Sequence, residues 1–127
     1  MENLDQICAE YGNKFAKDKE EPKVVEALIN KALSVLQEQG LYAFGLFCRS
    51  RKDKEKSVAE IAEKIENLTK ELLGNKLKLI GDGDLLEEIR KSGGLASRLD
   101  DLMFAIQVLE RSLIYAKFHA KAMKESR

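Results

Sequence analysis

Apolar residues recur along this chain at steps of three and four, the spacing that lines one face of a helix. Over 3–19 they are Leu4, Ile7, Cys8, Tyr11 and Phe15, with Glu10, Lys14, Lys17 and Asp18 on the other side. Glu20-Glu21-Pro22 ends this helix and opens the next, since proline suits a first helical turn whose N–H would have no partner. Over 22–39 the stripe is Val25, Leu28, Ile29, Ala32, Val35 and Leu36. Gly40 then stands where a helix commonly stops on a left-handed glycine. The pattern restarts over 41–49 with Leu41, Phe44, Leu46 and Phe47, and Gly45 predicts a close helix approach.

The run Arg49 to Lys56 reads as a solvated connection or an exposed helix extension. Ser57 and Glu60 match the S-x-x-E capping box ahead of a fourth helix. Its stripe is Val58, Ile61, Ile65, Leu68 and Leu72, with Gly74 as the expected stop. Residues 75–84 are irregular and fit either a short extended pairing or a helical turn. Gly81-Asp82-Gly83-Asp84 predicts a turn with Asp84 as N-cap of a short helix over 85–91, ended by Ser92-Gly93-Gly94. A last helix over 95–124 carries Leu95, Leu99, Leu102, Ile106, Leu109, Leu113, Ala116, Ala120 and Met123. Asp100 and Asp101 near its start and Lys117, Lys121 and Lys124 near its end suit the helix dipole. The expected architecture is all-α: one domain, 1–127, a compact bundle of five to six helices with a long C-terminal helix.

Composition supports this and narrows the function classes. One proline, no tryptophan and a wealth of Ala, Leu, Glu, Lys and Arg favour helices over strands. The 22 acidic and 22 basic residues cancel, so no net charge holds nucleic acid. The charge is unevenly spread, however. Residues 49–56 hold five basic and two acidic side chains, 111–127 five and one, and 82–101 three and six. Basic clusters of this kind suit sequence-independent phosphate contacts. No apolar run reaches about 18 residues, so no membrane span is expected. Cys8 and Cys48 are far apart, form no C-x-x-C pair and fit a reducing cytoplasm.

Catalytic and metal chemistry find little support. His119, the one histidine, lies off the apolar stripe without the convergent partners acid–base work needs. Gly-Asp-Gly-Asp departs from a calcium loop, because Leu85 and Leu86 follow where further oxygen ligands belong. Arg49 and Arg51 beside Cys48 would favour a thiolate, but a small buried apolar side chain is the simpler reading. Glu60, Glu63, Glu66 and Glu71 stand among lysines, as on a solvated face. Phosphate-loop, dinucleotide and nucleophile-elbow motifs do not occur. The reading is non-enzymatic, with no catalytic residues, no metal and no cofactor.

The segment Leu33-Ser34-Val35-Leu36-Gln37-Glu38-Gln39-Gly40-Leu41-Tyr42-Ala43-Phe44-Gly45-Leu46-Phe47 resembles the signature of the small helical subunit of the Cmr module, the type III-B CRISPR effector ribonucleoprotein. Gly40, Leu41, Ala43 and Phe47 occupy the family's turn and following small-residue helix. Phe104, Leu113, Phe118, Lys121 and Ala122 are similar to its last helix. Ser34 replaces a common proline, Gln39 an asparagine and Phe118 a tryptophan. The small subunit of the type III-A (Csm) complex is similar in size and helicity, and stays open as an alternative.

The resemblance implies a non-catalytic stacking unit of an antiviral RNA-guided complex in the cytoplasm. Its partners would be the backbone and large subunits, with guide and target RNA held through phosphates. Candidate RNA contacts are Arg49, Arg51, Lys52 and Lys54 after the signature, and Lys117, Lys121 and Lys124 on the last helix. A rival is a structural module without RNA contact, self-associating as basic residues meet Asp100 and Asp101 of a neighbouring copy.

Overall fold

The computed structural model describes residues 3–51 and 54–125, and all regular structure among them is helical. The elements are α1 (Leu4–Ala16), α2 (Pro22–Gln39), α3 (Leu41–Ser50), α4 (Lys56–Lys70), α5 (Leu85–Arg90) and α6 (Leu99–Glu125). A π-helical stretch, Glu71–Lys76, continues α4, and a 3-10 turn, Leu95–Ser97, precedes α6. The expected all-α bundle with a long last helix is what forms.

Local chemistry accounts for most element boundaries. Asn3 Oδ1 accepts the Gln6 N–H at 2.8 Å while Gln6 Oε1 accepts the Asn3 N–H at 2.9 Å, a reciprocal cap on α1. Pro22 opens α2. Asp84 caps α5, accepting the Glu87 N–H at 3.2 Å as expected. Ser57 does not cap α4: the N-cap is Glu55, two residues earlier, so Ser57 already lies inside the helix.

Gly40 alone joins α2 to α3. Its N–H donates to Leu36 C=O at 3.0 Å and its C=O accepts from Phe44 N–H at 3.1 Å, so one residue closes one helix and opens the next. Its conformation, φ 94° and ψ −177°, is extended with positive φ rather than the expected left-handed helical form. That region is open essentially to glycine alone.

The end of α4 departs from the expected stop at Gly74. Leu72 and Leu73 are adjacent and both fully buried. The backbone widens instead, with Leu77 N–H donating to Leu72 C=O at 3.0 Å, five residues back. The helical path ends beyond Gly74, near Lys78, whose φ of 56° is left-handed. The segment that follows forms no strand. Leu79 is fixed through its C=O, which accepts from Arg98 Nη2 at 2.7 Å.

The core forms where α6 packs along α1 and α2, with α3, α4 and α5 closing the far side. Ala105, Val108, Leu109, Leu113, Ala116 and Ala120 of α6 face inward. Leu99, expected on the buried stripe, is 66% exposed, because it falls on the side of α6 away from the buried residues. Ser112 is buried too, its hydroxyl donating to Val108 C=O at 2.8 Å.

Across the α1–α6 contact, a Cβ at Gly12 would lie 2.6 Å from Tyr115 Cβ and 3.1 Å from the Ser112 carbonyl oxygen. The opposing atoms are near or in the backbone and cannot rotate away. Gly45 plays a softer version of this role, as anticipated: Leu86 Cδ2 sits 2.7 Å from where its Cβ would be.

An exposed helical glycine changed to alanine gains up to about 1 kcal/mol. Gly12→Ala is expected to reverse that sign and destabilise by about 1–3 kcal/mol through overpacking. Gly40→Ala should lose a similar amount, about 1–3 kcal/mol, through backbone strain. Urea unfolding followed by circular dichroism checks both, and a stabilised Gly12→Ala would refute the close approach.

Candidate nucleic-acid interface

The basic residues singled out after the signature segment fall into two different environments. Arg49, in the last turn of α3, is turned back over the protein. Its Nη2 donates to Glu66 Oε2 at 2.9 Å and to Asp84 Oδ1 at 2.7 Å, while Nε reaches Glu66 Oε1 at 3.4 Å. Glu66 is 5% exposed. One guanidinium thus ties α3 to α4 and to the cap of α5, and the Glu66 hydrogen bond raises its already high pKa further. Burial pushes the Asp84 carboxyl up, but the Glu87 N–H and Arg49 outweigh it and leave the pKa lowered. Glu66, expected on a solvated face, is instead an internal partner.

Lys54 is exposed and Arg51 half-buried. Arg51 follows α3 and its guanidinium lies 4.7 Å from the centroid of the Phe47 ring. Lys54 N–H donates to Arg51 C=O at 3.1 Å, a turn that holds the two residues together. Between them and α2 lies a hollow of about 320 Å³, lined by Val24, Leu28 and Val58 and by the charged residues Lys31, Arg51, Lys54 and Glu55. A second hollow, about 400 Å³, continues along α2 past Lys31, Ser34 and Val35 to Phe47 and Arg51. Lys31 is therefore a third cation of this corner. It stands alone among apolar and neutral neighbours in sequence, and no charge run marks it. Lys52 lies outside the described residues.

The C-terminal lysines share one side of α6, at steps of four and three, but sit in different environments. Lys117 is half-buried, with Nζ 6.0 Å from the Phe118 ring centroid. Lys121 is exposed. Lys124 Nζ pairs with Glu26 Oε1 at 2.6 Å, clipping the end of α6 to the start of α2. His119 is exposed, and its nearest hollow is lined by Tyr115, Phe118 and Ala122.

The Gly-Asp-Gly-Asp turn is organised by Glu88, which is 9% exposed. Its Oε1 accepts the Gly81 N–H at 2.7 Å and its Oε2 accepts from Lys91 Nζ at 3.0 Å. Among the described residues no group of three or more His, Cys, Asp or Glu side chains is placed to hold a metal. Cys8 and Cys48 are buried free thiols, and burial raises the Cys8 pKa. No helix among the described residues is long and apolar enough to cross a membrane.

In comparisons with known proteins, the chain matches no family model, no curated protein and no solved structure.

Two outcomes follow from this placement. Arg49→Ala should destabilise the protein by about 2 kcal/mol, since it removes charge-assisted bonds to a buried carboxylate. Arg51→Ala and Lys54→Ala should stay within about 0.5 kcal/mol of the parent, as surface changes do. Thermal melts of the three variants check the contrast. The Glu88 pKa is held below its ordinary value of 4.5 by the bonds from Lys91 and the Gly81 N–H. Its contribution to stability is therefore complete above that ordinary value and is lost as pH falls through the lowered one. Glu88→Gln should melt below the parent at neutral pH, and the gap should narrow on acidification. A gap that is constant across the acid range would refute the clasp.

Proposed function

We propose that this chain is a non-catalytic small helical subunit of a type III CRISPR ribonucleoprotein effector of the Cmr kind, contributing RNA-backbone and protein contacts. The observation that carries the reading is the corner formed by Lys31, Arg51 and Lys54 beside apolar surface. It lies against the outer side of the segment Leu33 to Phe47, on which the family resemblance rests.

Cations around aromatic and apolar surface suit a phosphate backbone that needs point charges and a polynucleotide that offers flat apolar faces. The rigid helical block supplies a stacking unit with two ends, as subunits that line up along a guide-RNA filament need. Backbone and large subunits, guide RNA and target RNA are the partners of this reading, and the cytoplasm is its setting. The type III-A (Csm) small subunit meets the same physical requirements.

In this reading Arg49 positions the corner, and Lys31, Arg51 and Lys54 touch RNA. Lys121 remains a secondary contact on α6. The rival is a structural module without RNA contact, favoured by the internal pairing of two candidate cations, Arg49 and Lys124.

Co-purification on a tagged copy separates the two. The proposal expects effector subunits and a guide RNA to come down with the parent. It also expects a Lys31→Ala/Arg51→Ala/Lys54→Ala variant to retain its fold while the assembled complex binds target RNA at least tenfold more weakly, with a shallower salt dependence. Recovery of partner proteins without RNA, or equal RNA affinity across a salt series, would overturn it in favour of the structural module.

A further inference from the structure

The outward face of α6 carries more exposed apolar surface than any other helix face described. Leu99, Met103 and Phe118 are 66%, 53% and 59% exposed, and Ile114 between them is half-buried. At an advance of about 100° per residue, these side chains share an arc of about 120° with Gln107, Glu110 and Arg111. The buried residues of α6, from Ala105 to Ala120, occupy the opposite side.

The order of residues along this face is self-complementary. Met103 precedes Glu110 by as many positions as Phe118 follows Arg111. The same holds for Gln107 with Ile114, for Leu99 with Ala122 and for Asp100 with Lys121. When two such helices lie antiparallel, with a two-fold axis between Glu110 and Arg111, each residue lies level with its counterpart from the other copy. Apolar meets apolar at Met103 with Phe118. Acid meets base at Glu110 with Arg111 and at Asp100 with Lys121. Among the described residues none of these four charged side chains makes an ion pair within its own chain.

We propose that this face binds a second copy of the same chain, antiparallel, about a two-fold axis at the middle of α6. A two-fold interface uses one patch twice, so a sequence able to form it must be complementary to its own reverse, which this face is. Parallel pairing would set Asp100 against Asp100 and Lys121 against Lys121, so charge selects the antiparallel arrangement. The α6 helix, about 40 Å long at its 27 residues, offers a continuous contact rather than a single point. The proposal goes beyond the RNA reading and shares only Lys121 with it: the corner of Lys31, Arg51 and Lys54 lies on α2 and the α3–α4 connection.

Charge exchange in the full-length protein tests it. Sedimentation equilibrium from micromolar to submillimolar concentration is expected to show a monomer–dimer equilibrium for the parent. Glu110→Arg places two arginines against each other across the axis, and Arg111→Glu two glutamates. Each should weaken dimerisation at least tenfold without changing the helical circular dichroism. The double exchange, Glu110→Arg with Arg111→Glu, restores the cross-axis pairs and should return the dissociation constant to within about threefold of the parent. Met103→Glu, which buries a charge against Phe118, should give a monomer. A parent that is monomeric throughout, an assembly larger than a dimer, or a double exchange as weak as the single changes would each overturn the proposal.

Discussion

The separation between α1 and α6 is the constraint on which the remaining packing depends. Gly12 faces Tyr115 and the backbone of Ser112 and Ala116, and no side chain fits between them. Small residues recur on both sides of the seam, with Ala16 on α1 and Ala105, Ser112, Ala116 and Ala120 on α6. Dispersion falls steeply with distance, so two surfaces in backbone contact gain along their whole length. Their separation also sets where α2 meets α6, and through α2 where Gly40 can turn the chain into α3. The larger side chains Phe15, Ile29, Leu36 and Phe44 fill the space left beside this seam, each essentially without exposure.

Polar interactions fix what the apolar core leaves adjustable. Arg49 joins α3, α4 and the start of α5 through one planar group, and its geometry specifies their relative rotation more than their proximity. Glu88 does the same for the turn before α5, and Arg98 for the segment around Leu79. Lys64 holds the chain between α1 and α2, pairing with Asp18 at 2.8 Å and donating to the Lys17 carbonyl at 2.7 Å. These four contacts lie at connections, where few apolar atoms are available to specify geometry.

The helices were legible in the sequence because their apolar spacing is regular and their punctuation is chemically specific. Gly40, Pro22 and Asp84 each act where their side-chain or backbone properties place them. The end of α4 was not legible, since adjacent buried leucines look the same in sequence whether the helix stops or widens. The role of Gly12 was hidden for a related reason: what excludes a side chain there is a helix about a hundred residues away. Arg49 shows the limit for charge runs. Its neighbours in sequence are other cations, but its neighbours in space are Glu66 and Asp84. Lys31 shows the converse, a cation that joins a cluster only once α2 packs beside the end of α3.

The pairing of α1 with α6 also bears on the order in which the chain can fold. Cys8 Sγ lies 3.7 Å from the Val108 carbonyl oxygen, and Lys124 closes on Glu26, contacts separated by about a hundred positions. Helices α2 to α5 have sequence-near partners, whereas α1 makes most of its contacts with the last helix. Until that helix is made the apolar face of α1 is incompletely covered, and closing so long a loop is entropically slow. That interval is when the growing polypeptide is most open to non-native association. The reciprocal Asn3–Gln6 cap favours the first helix locally before that partner is in place.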